Sequence, residues 1–244
     1  MSDKKKKRIR IIITGVCVFF IFAGIAVISY PFMMRMYVKN KQDNMIEDIE
    51  KRMEENAKKR EQDIDSGESS NDEKDTGSDS VVDEKEITRQ FDDLELTQND
   101  EDDYSATTED ILEDQNVIGI IEAEAIGIKF AIVEGAGRWN IAYAIGHMTG
   151  TAGIGEEGNC VLAGHRGGVY GEFFKHIDKL VNGDKISLKN IYGDEFIYTV
   201  YDQFVVEPEE MWITKPVDEH DKVLTMLSCE NSGKQRLIVR AYLN

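Results

Sequence analysis

The chain has 244 residues, 31% of them charged, and a formal net charge of −18 at neutral pH. That charge is uneven: residues 1–40 carry 8 basic and 1 acidic side chains, residues 41–114 carry 9 and 28, and residues 115–244 carry 12 and 18. Nothing beyond the extreme N-terminus is basic, which argues against nucleic acid as a partner. The three cysteines, Cys17, Cys160 and Cys229, are too few for a disulfide scaffold.

A basic stretch, Lys4-Lys-Lys-Lys-Arg8 with Arg10, precedes an uncharged apolar run over residues 11–34. About 24 apolar residues can cross ~30 Å of hydrocarbon. The basic flank (residues 1–10) is expected to stay cytoplasmic, leaving the rest of the chain outside on a single-pass anchor in the cell membrane. A cleaved signal peptide also starts basic, but this run is longer than a signal core and no small-x-small site follows it. Residues 35–64 lack Gly and Pro and are rich in Lys, Glu and Met, so a helix is expected to continue away from the membrane. Met45, Ile49 and Met53 recur every fourth residue; the stripe is short, and a solvated helix face is the expectation. Residues 65–112 are mostly Asp, Glu, Ser, Thr, Gly and Asn. Such a composition buries too little apolar surface to offset chain entropy, so residues 35–115 read as a charged helical and then disordered acidic linker, an extended tether.

Residues 116–244 read as the folded domain. Residues 117–122 and 126–133 form apolar runs in hairpin order, residues 139–145 suit one or two helical turns, and residues 159–164 form another apolar run. A short helix is expected over 172–180, strands over 185–188 and 195–206, and a long polar loop over 207–221. Two final strands, 222–229 and 235–243, flank the turn Asn231-Ser-Gly233. Many short strands and few helices indicate a mostly β fold, a β-barrel.

Cys229 ends one strand of the last hairpin, and Arg236 begins the next. A buried strand-end thiol is the bland reading; an exposed one near a guanidinium, which favours a thiolate or an anionic intermediate, is the reactive one. His165 ends the run Asn159-Cys-Val-Leu-Ala-Gly-His165. It can meet Cys229 if the two strands are parallel neighbours, giving the thiol a general base. Cys160, five residues back, is then roughly 16 Å away along its strand and cannot bridge to Cys229. Arg240 lies on the same face as Arg236 but roughly 13 Å further along, and is expected to be a rim charge. His176 and His220 read as surface residues, Glu156-Glu157 as a solvated pair. No His, Cys and carboxylate cluster has metal-ligand spacing, so neither a metal nor another cofactor is expected.

Four blocks together, Gly146-His147-Met-Thr-Gly150-Thr151, Ala163-Gly-His165-Arg, Thr225-Met-Leu-Ser-Cys229 and Arg236-Leu-Ile-Val-Arg240, resemble the sortases in order and spacing over about residues 116–244. Sortases are membrane-anchored cysteine transpeptidases of Gram-positive bacteria. The resemblance implies an eight-stranded barrel with a structural His147, and a site made of Cys229 as nucleophile, His165 as acid and base, and Arg236 as holder of the oxyanion. It also implies partners: secreted proteins bearing a C-terminal sorting signal of Leu-Pro-x-Thr-Gly type, and an amine acceptor on a cell-wall precursor or a pilin lysine. Met226 and Ser228 depart from the usual Thr-Leu-x-Thr-Cys, keeping apolar character and hydroxyl respectively, and the loop from Cys229 to Arg236 is shorter than in many members. Pilin-polymerising members often carry a second apolar span and an Asp-Pro-aromatic lid. Neither is seen in this sequence, so an anchoring enzyme is expected over a polymerase. A thiol hydrolase using the same Cys and His, or a binding domain that ignores the thiol, are the other readings.

Overall fold

The computed structural model describes residues 3–66, 85–90, 116–167, 171–230 and 234–243. The expected tether over 67–84 and 91–112, and the turn Asn231-Ser-Gly233, lie outside the described residues. Eight strands close into a barrel: β1 (Val117–Ala123), β2 (Ile128–Glu134), β3 (Ile145–His147), β4 (Gly158–Ala163), β5 (Lys185–Asn190), β6 (Glu195–Val206), β7 (Lys222–Glu230) and β8 (Gln235–Leu243). Around the barrel their order is β1-β2-β3-β4-β7-β8-β6-β5. The β2–β3 and β4–β7 pairs are parallel and the others antiparallel.

The apolar runs of β4, β7 and β8 are continuous because both faces of these strands are covered. Cys160, Leu162, Leu224, Met226, Leu237 and Val239 pack into one core with Ile121, Ile132 and Tyr198. Their neighbours Val161, Ala163, Leu227 and Ile238 alternate onto the opposite face and belong to a second cluster with Ile141, Met148 and Ile213. Strand β3 has three residues and escapes period-2 reading. It lies so close to the preceding loop that a Cβ on Gly146 would meet the Gly135 carbonyl oxygen at 2.6 Å.

The expected helix over 172–180 is replaced by turns and one 3-10 turn, Ile177–Lys179. Phe173, Phe174, Ile177 and Leu180 do have helical spacing, and all four are buried in the first core. Yet the Phe174 N–H donates to the His165 carbonyl at 2.8 Å, tying the segment back to the end of β4 instead of continuing a helix. A one-and-a-half-turn helix, α2 (Arg138–Tyr143), precedes β3 as expected.

Helix α1 (Asp3–Ser66) is one continuous element. Its apolar N-terminal part is long enough to cross a membrane, and none of it is buried against the rest of the chain. The C-terminal half behaves differently from its sequence reading. Met45, Ile49 and Met53, expected to face solvent, are buried against Val117, Ile120, Ala131, Val133 and Ala144. The four-residue spacing keeps them on one helix face, and the outward apolar residues of β1 and β2 need such a cover. Polar ties fix the register: Ala131 N–H donates to Gln42 Oε1 at 2.9 Å, and the Gln42 amide donates to the Tyr143 carbonyl. Asn56 donates to the Ile191 carbonyl at 2.9 Å, and Arg60 lies 3.1 Å from Asp194 in the β5–β6 turn. At the other end, Arg35 lies 3.4 Å from Glu172, beside the segment that follows β4. The helix therefore meets the barrel at the end where β4 and β7 finish, and leaves it at the opposite end, roughly 37 Å on at ~1.5 Å per residue.

Candidate active site

β4 and β7 are parallel neighbours whose register reaches Ala163 opposite Leu227, and the Gly164 N–H donates to the Leu227 carbonyl at 3.1 Å. His165 and Cys229 each follow two residues beyond that rung. Alternation carries both onto the outer face of the barrel that Ala163 and Leu227 occupy. On the other side of β7, Cys229 pairs directly with Arg236 of β8, and Arg236 Nη1 donates to Cys229 Sγ at 3.6 Å. Arg236 is fully buried while Cys229 is half-buried, so the thiol remains reachable. All three residues named from sequence thus come to one end of the barrel on adjacent strands. Burial lowers the His165 imidazole to about 4, so it is neutral at physiological pH. The thiol within β4, Cys160, sits opposite Leu224, is buried, and is a free cysteine.

The outer face of β4, β7 and β8, which leads toward Cys229, is covered by the second apolar cluster. Ala136, Ile141 and Met148 join it from the loops and helix around β3, and Ile213 from the 3-10 turn Met211–Thr214. That turn lies inside the segment read as a polar loop, yet Ile213 and Thr214 are buried. Asn159 holds it by donating to the Ile213 carbonyl at 2.8 Å and the Lys215 carbonyl at 3.0 Å, while Thr225 Oγ1 donates to Asn159 Oδ1 at 2.7 Å. Arg240, expected to be a rim charge, is buried instead. It donates to the Ile213 carbonyl at 3.4 Å, and its guanidinium lies 5.3 Å from both the Phe204 and Trp212 ring centres. Those two rings stack at 5.6 Å. The apolar pair Trp212-Ile213 within a polar stretch was the available sequence signal for this turn; Asn159 and Thr225 carried none.

Residues 85–90 also differ from the disorder expected of them. They form a helical turn in which Ile87 and Gln90 are 1% and 2% exposed. Ile87 joins the second cluster, Gln90 Oε1 accepts from Ala136 N–H at 2.9 Å and Thr149 N–H at 3.2 Å, and Thr88 Oγ1 donates to Met211 Sδ at 3.7 Å. The segment ties the loops at Ala136 and Thr149 to the 3-10 turn at Met211.

His220, expected on the surface, is half-buried and stacks on Tyr242 with ring centres 4.4 Å apart. His176 is half-buried. His147 is 5% exposed, with Nδ1 2.8 Å from Glu134 Oε2 and Nε2 2.9 Å from the Ala152 carbonyl. Both ring nitrogens face acceptors, which suits an imidazolium. Burial alone would lower its pKa from 6.5, but the neighbouring Cys160 and Glu134 side chains outweigh burial and hold it at about 10. A folded-state value above the ordinary one gives stability that is fully present below pH 6.5 and lost as pH rises toward about 10. Glu134 is 36% exposed at its side chain, so screening reduces the pair, and His147→Gln should cost about 1–2 kcal/mol. Urea unfolding of parent and variant at about pH 6 and about pH 10 checks this: the gap should narrow at the higher pH, and an equal gap at both would contradict the charged pair. Among the described residues, no three His, Cys, Asp or Glu side chains are grouped to hold a metal ion.

A family model described as "Sortase domain" matches residues 121–244. A curated relative, "Sortase D" of Bacillus subtilis (strain 168), is 29% identical over 106 residues, 43% of this chain. The chain spans 51% of that relative's length. Among solved structures, a Clostridium perfringens Sortase D5 transpeptidase is 31% identical, covering 66% of this chain and 99% of that one with a TM-score of 0.49. Sortase C1 of GBS Pilus Island 1 is 26% identical, covering 68% and 86% with a TM-score of 0.50. With a family match spanning the barrel from within β1 to the end of β8, the chain belongs to the sortase family.

Proposed function

We propose that the chain is a cysteine transpeptidase that cleaves the C-terminal sorting signal of secreted proteins and transfers the acyl group to an amine of a cell-wall precursor. The observation that carries this reading is the cluster at one end of the barrel: His165 and Cys229 each lie two residues past the last rung of the parallel β4–β7 pair, and Arg236 Nη1 is 3.6 Å from the thiol sulfur. In the first half-reaction, Cys229 Sγ attacks the scissile carbonyl while neutral His165 takes the thiol proton. Arg236, beside the sulfur, donates to the oxyanion that forms. Collapse breaks the C–N bond as His165 returns its proton to the leaving amine, and a thioester remains on Cys229. In the second half, an acceptor amine attacks the thioester carbonyl, His165 takes the amine proton, and the proton passes to the departing thiolate.

The membrane arrangement supports the same reading. Helix α1 runs from its apolar part directly to the barrel end that carries Cys229, through Arg35 beside Glu172. With the basic flank cytoplasmic, a single-pass anchor would hold that end outside the cell and close to the bilayer, where secreted donors and lipid-linked precursors emerge. Full-length protein incubated with a panel of Leu-Pro-x-Thr-Gly-type peptides, with and without a primary amine, tests the chemistry. Mass spectra should show a thioester on Cys229, slow hydrolysis without amine and an amide product with it. Hydrolysis indifferent to amine would identify a hydrolase instead. Peptide binding that survives alkylation of Cys229, without any cleavage, would identify a binding domain.

A further inference from the structure

We propose that helix α1 is a rigid strut that fixes the height of Cys229 above the bilayer, so that the site selects substrates whose reacting bond stands at that height; this rests on the single-pass anchor and the transpeptidase chemistry above. The sequence reading placed an extended tether between membrane and domain. The structure joins them directly. Helix α1 runs unbroken from Asp3 to Ser66, and its contacts with the barrel begin where its apolar run ends. Met34 packs against the first core, Val38 is buried in it, and the Tyr37 ring meets Tyr143 edge-on at 6.3 Å.

The docking then continues along the barrel. Met45, Ile49 and Met53 are buried on the outer face of β1 and β2. Lys129 Nζ lies 2.8 Å from Glu50, Arg52 Nη2 donates to the Val117 carbonyl at 2.9 Å, and the Arg60 guanidinium lies 4.9 Å from the Tyr192 ring centre. A slip of one residue would turn that apolar stripe by about 100° out of its seat, so sliding and rotation are resisted together.

The height of the thiol on this strut follows from the ladders. Gln42 is bonded to Ala131, next to the Ile132–Ile145 rung that opens the β2–β3 pair. The same end of the ladders passes through Gly146–Ala163 to Ala163–Leu227, just short of His165 and Cys229. Arg35 reaches Glu172, and Phe174 close behind it donates to the His165 carbonyl. His165 is thus bracketed between helix positions 35 and 42, within ~12 Å of Met34 at ~1.5 Å per residue. Pro31 lacks the N–H for a ladder bond, so α1 can bend there. It lies so near Met34 that bending tips the barrel without lifting it. A tethered substrate reacts well only when its spacer spans the gap between its anchor and the site. A strut makes that gap a constant, and the matching spacer is roughly four extended residues at ~3.3 Å each.

The test uses full-length protein in phosphatidylcholine vesicles. A two-turn helical insert of Glu, Ala and Lys between Met33 and Met34 lifts the barrel by roughly 10 Å and returns the helix to nearly the same facing. A Gly/Ser insert of equal length at the same place adds chain without stiffness. Donors are Leu-Pro-x-Thr-Gly-type peptides joined at the C-terminus to a phospholipid through spacers of graded length, and the thioester on Cys229 is read by intact mass. In the parent the rate should peak at a short spacer. The helical insert should move the peak out by roughly three residues and cut the rate at the parent's best spacer about tenfold. The Gly/Ser insert should flatten the profile, and free peptide in solution should react equally with all three proteins. A peak at the same spacer in parent and helical insert would overturn the strut, as would a flat profile in the parent. A second readout needs no turnover: in full-length Cys17→Ala protein with a dye on Cys229, energy transfer to labelled lipids should fall on adding the helical insert. Equal transfer in both would also overturn the strut. Protein that fails to float with the vesicles would overturn the anchor and the strut with it. A dye signal that shifts as expected, while free peptide forms no thioester, would overturn the transpeptidase reading and leave the strut standing.

Discussion

Cys229→Ala should abolish both peptide cleavage and acyl transfer, a loss on the order of 10⁴-fold or more, with the barrel intact. The size of the effect follows from the proposed chemistry: without the sulfur there is no thioester, and His165 and Arg236 have no covalent intermediate to serve. The fold should survive because the site lies at the end of β7, where Cys229 is half-buried and its strand pairing is made by backbone atoms. Cys160→Ala is the matching control. Cys160 is 1% exposed and packs inside the barrel, so its loss should cost about 1–2 kcal/mol and leave turnover per folded molecule nearly unchanged. Intact-mass detection of the thioester, paired with urea unfolding of both variants, separates the two effects. An inactive Cys160→Ala beside an active Cys229→Ala would move the nucleophile from Cys229 to Cys160.

What the sequence revealed about this molecule depended on how local the signal was. Strands β4, β7 and β8 announce themselves as apolar runs, and the residues at their ends, His165, Cys229 and Arg236, could be named before any register was known. Their meeting requires β4 and β7 to be parallel neighbours, a non-local fact that was posed as a condition and that the barrel order supplies. Strand β3 was missed because three residues cannot display a period, and its glycine serves a close backbone approach that only the fold reveals. The error at Met45, Ile49 and Met53 has a different origin. A short apolar stripe is ambiguous by itself, and the partner surface lies some 70 residues downstream in Val117, Ile120, Ala131 and Val133. Those strands carry apolar residues on both faces, which implies an outer cover, but not which segment supplies it. Ile87 is harder still. A single isoleucine in an acidic stretch contributes almost nothing to composition, so the stretch was read by its average while one turn of it docks.

Arg236→Lys should lower the initial rate of thioester formation on the order of 10²-fold, the cost of one oxyanion donor. Arg236 faces Cys229 across the β7–β8 pair, and with no exposed surface it cannot be replaced by a solvent-borne cation. Lysine would keep the charge, but a single ammonium on a flexible stem cannot reproduce the planar fork that reaches sulfur and an adjacent oxygen together. Arg240→Ala should fail differently. Four residues further along β8, Arg240 touches neither the thiol nor, in the proposed mechanism, the reacting carbonyl; it holds the Ile213 carbonyl and packs against Phe204 and Trp212. Removing it frees the Met211–Thr214 turn, so KM for the donor peptide should rise several-fold and stability should fall by about 1–2 kcal/mol, while kcat stays within a factor of about three. Here the buried position of Arg240 changes the expectation from a silent rim charge to a residue that positions the Met211–Thr214 turn. Steady-state rates over donor concentration, with folding followed by circular dichroism, resolve kcat from KM for both variants. A folded Arg240→Ala with collapsed kcat, beside an Arg236→Lys of normal kcat, would move the oxyanion role from the first arginine of β8 to the second.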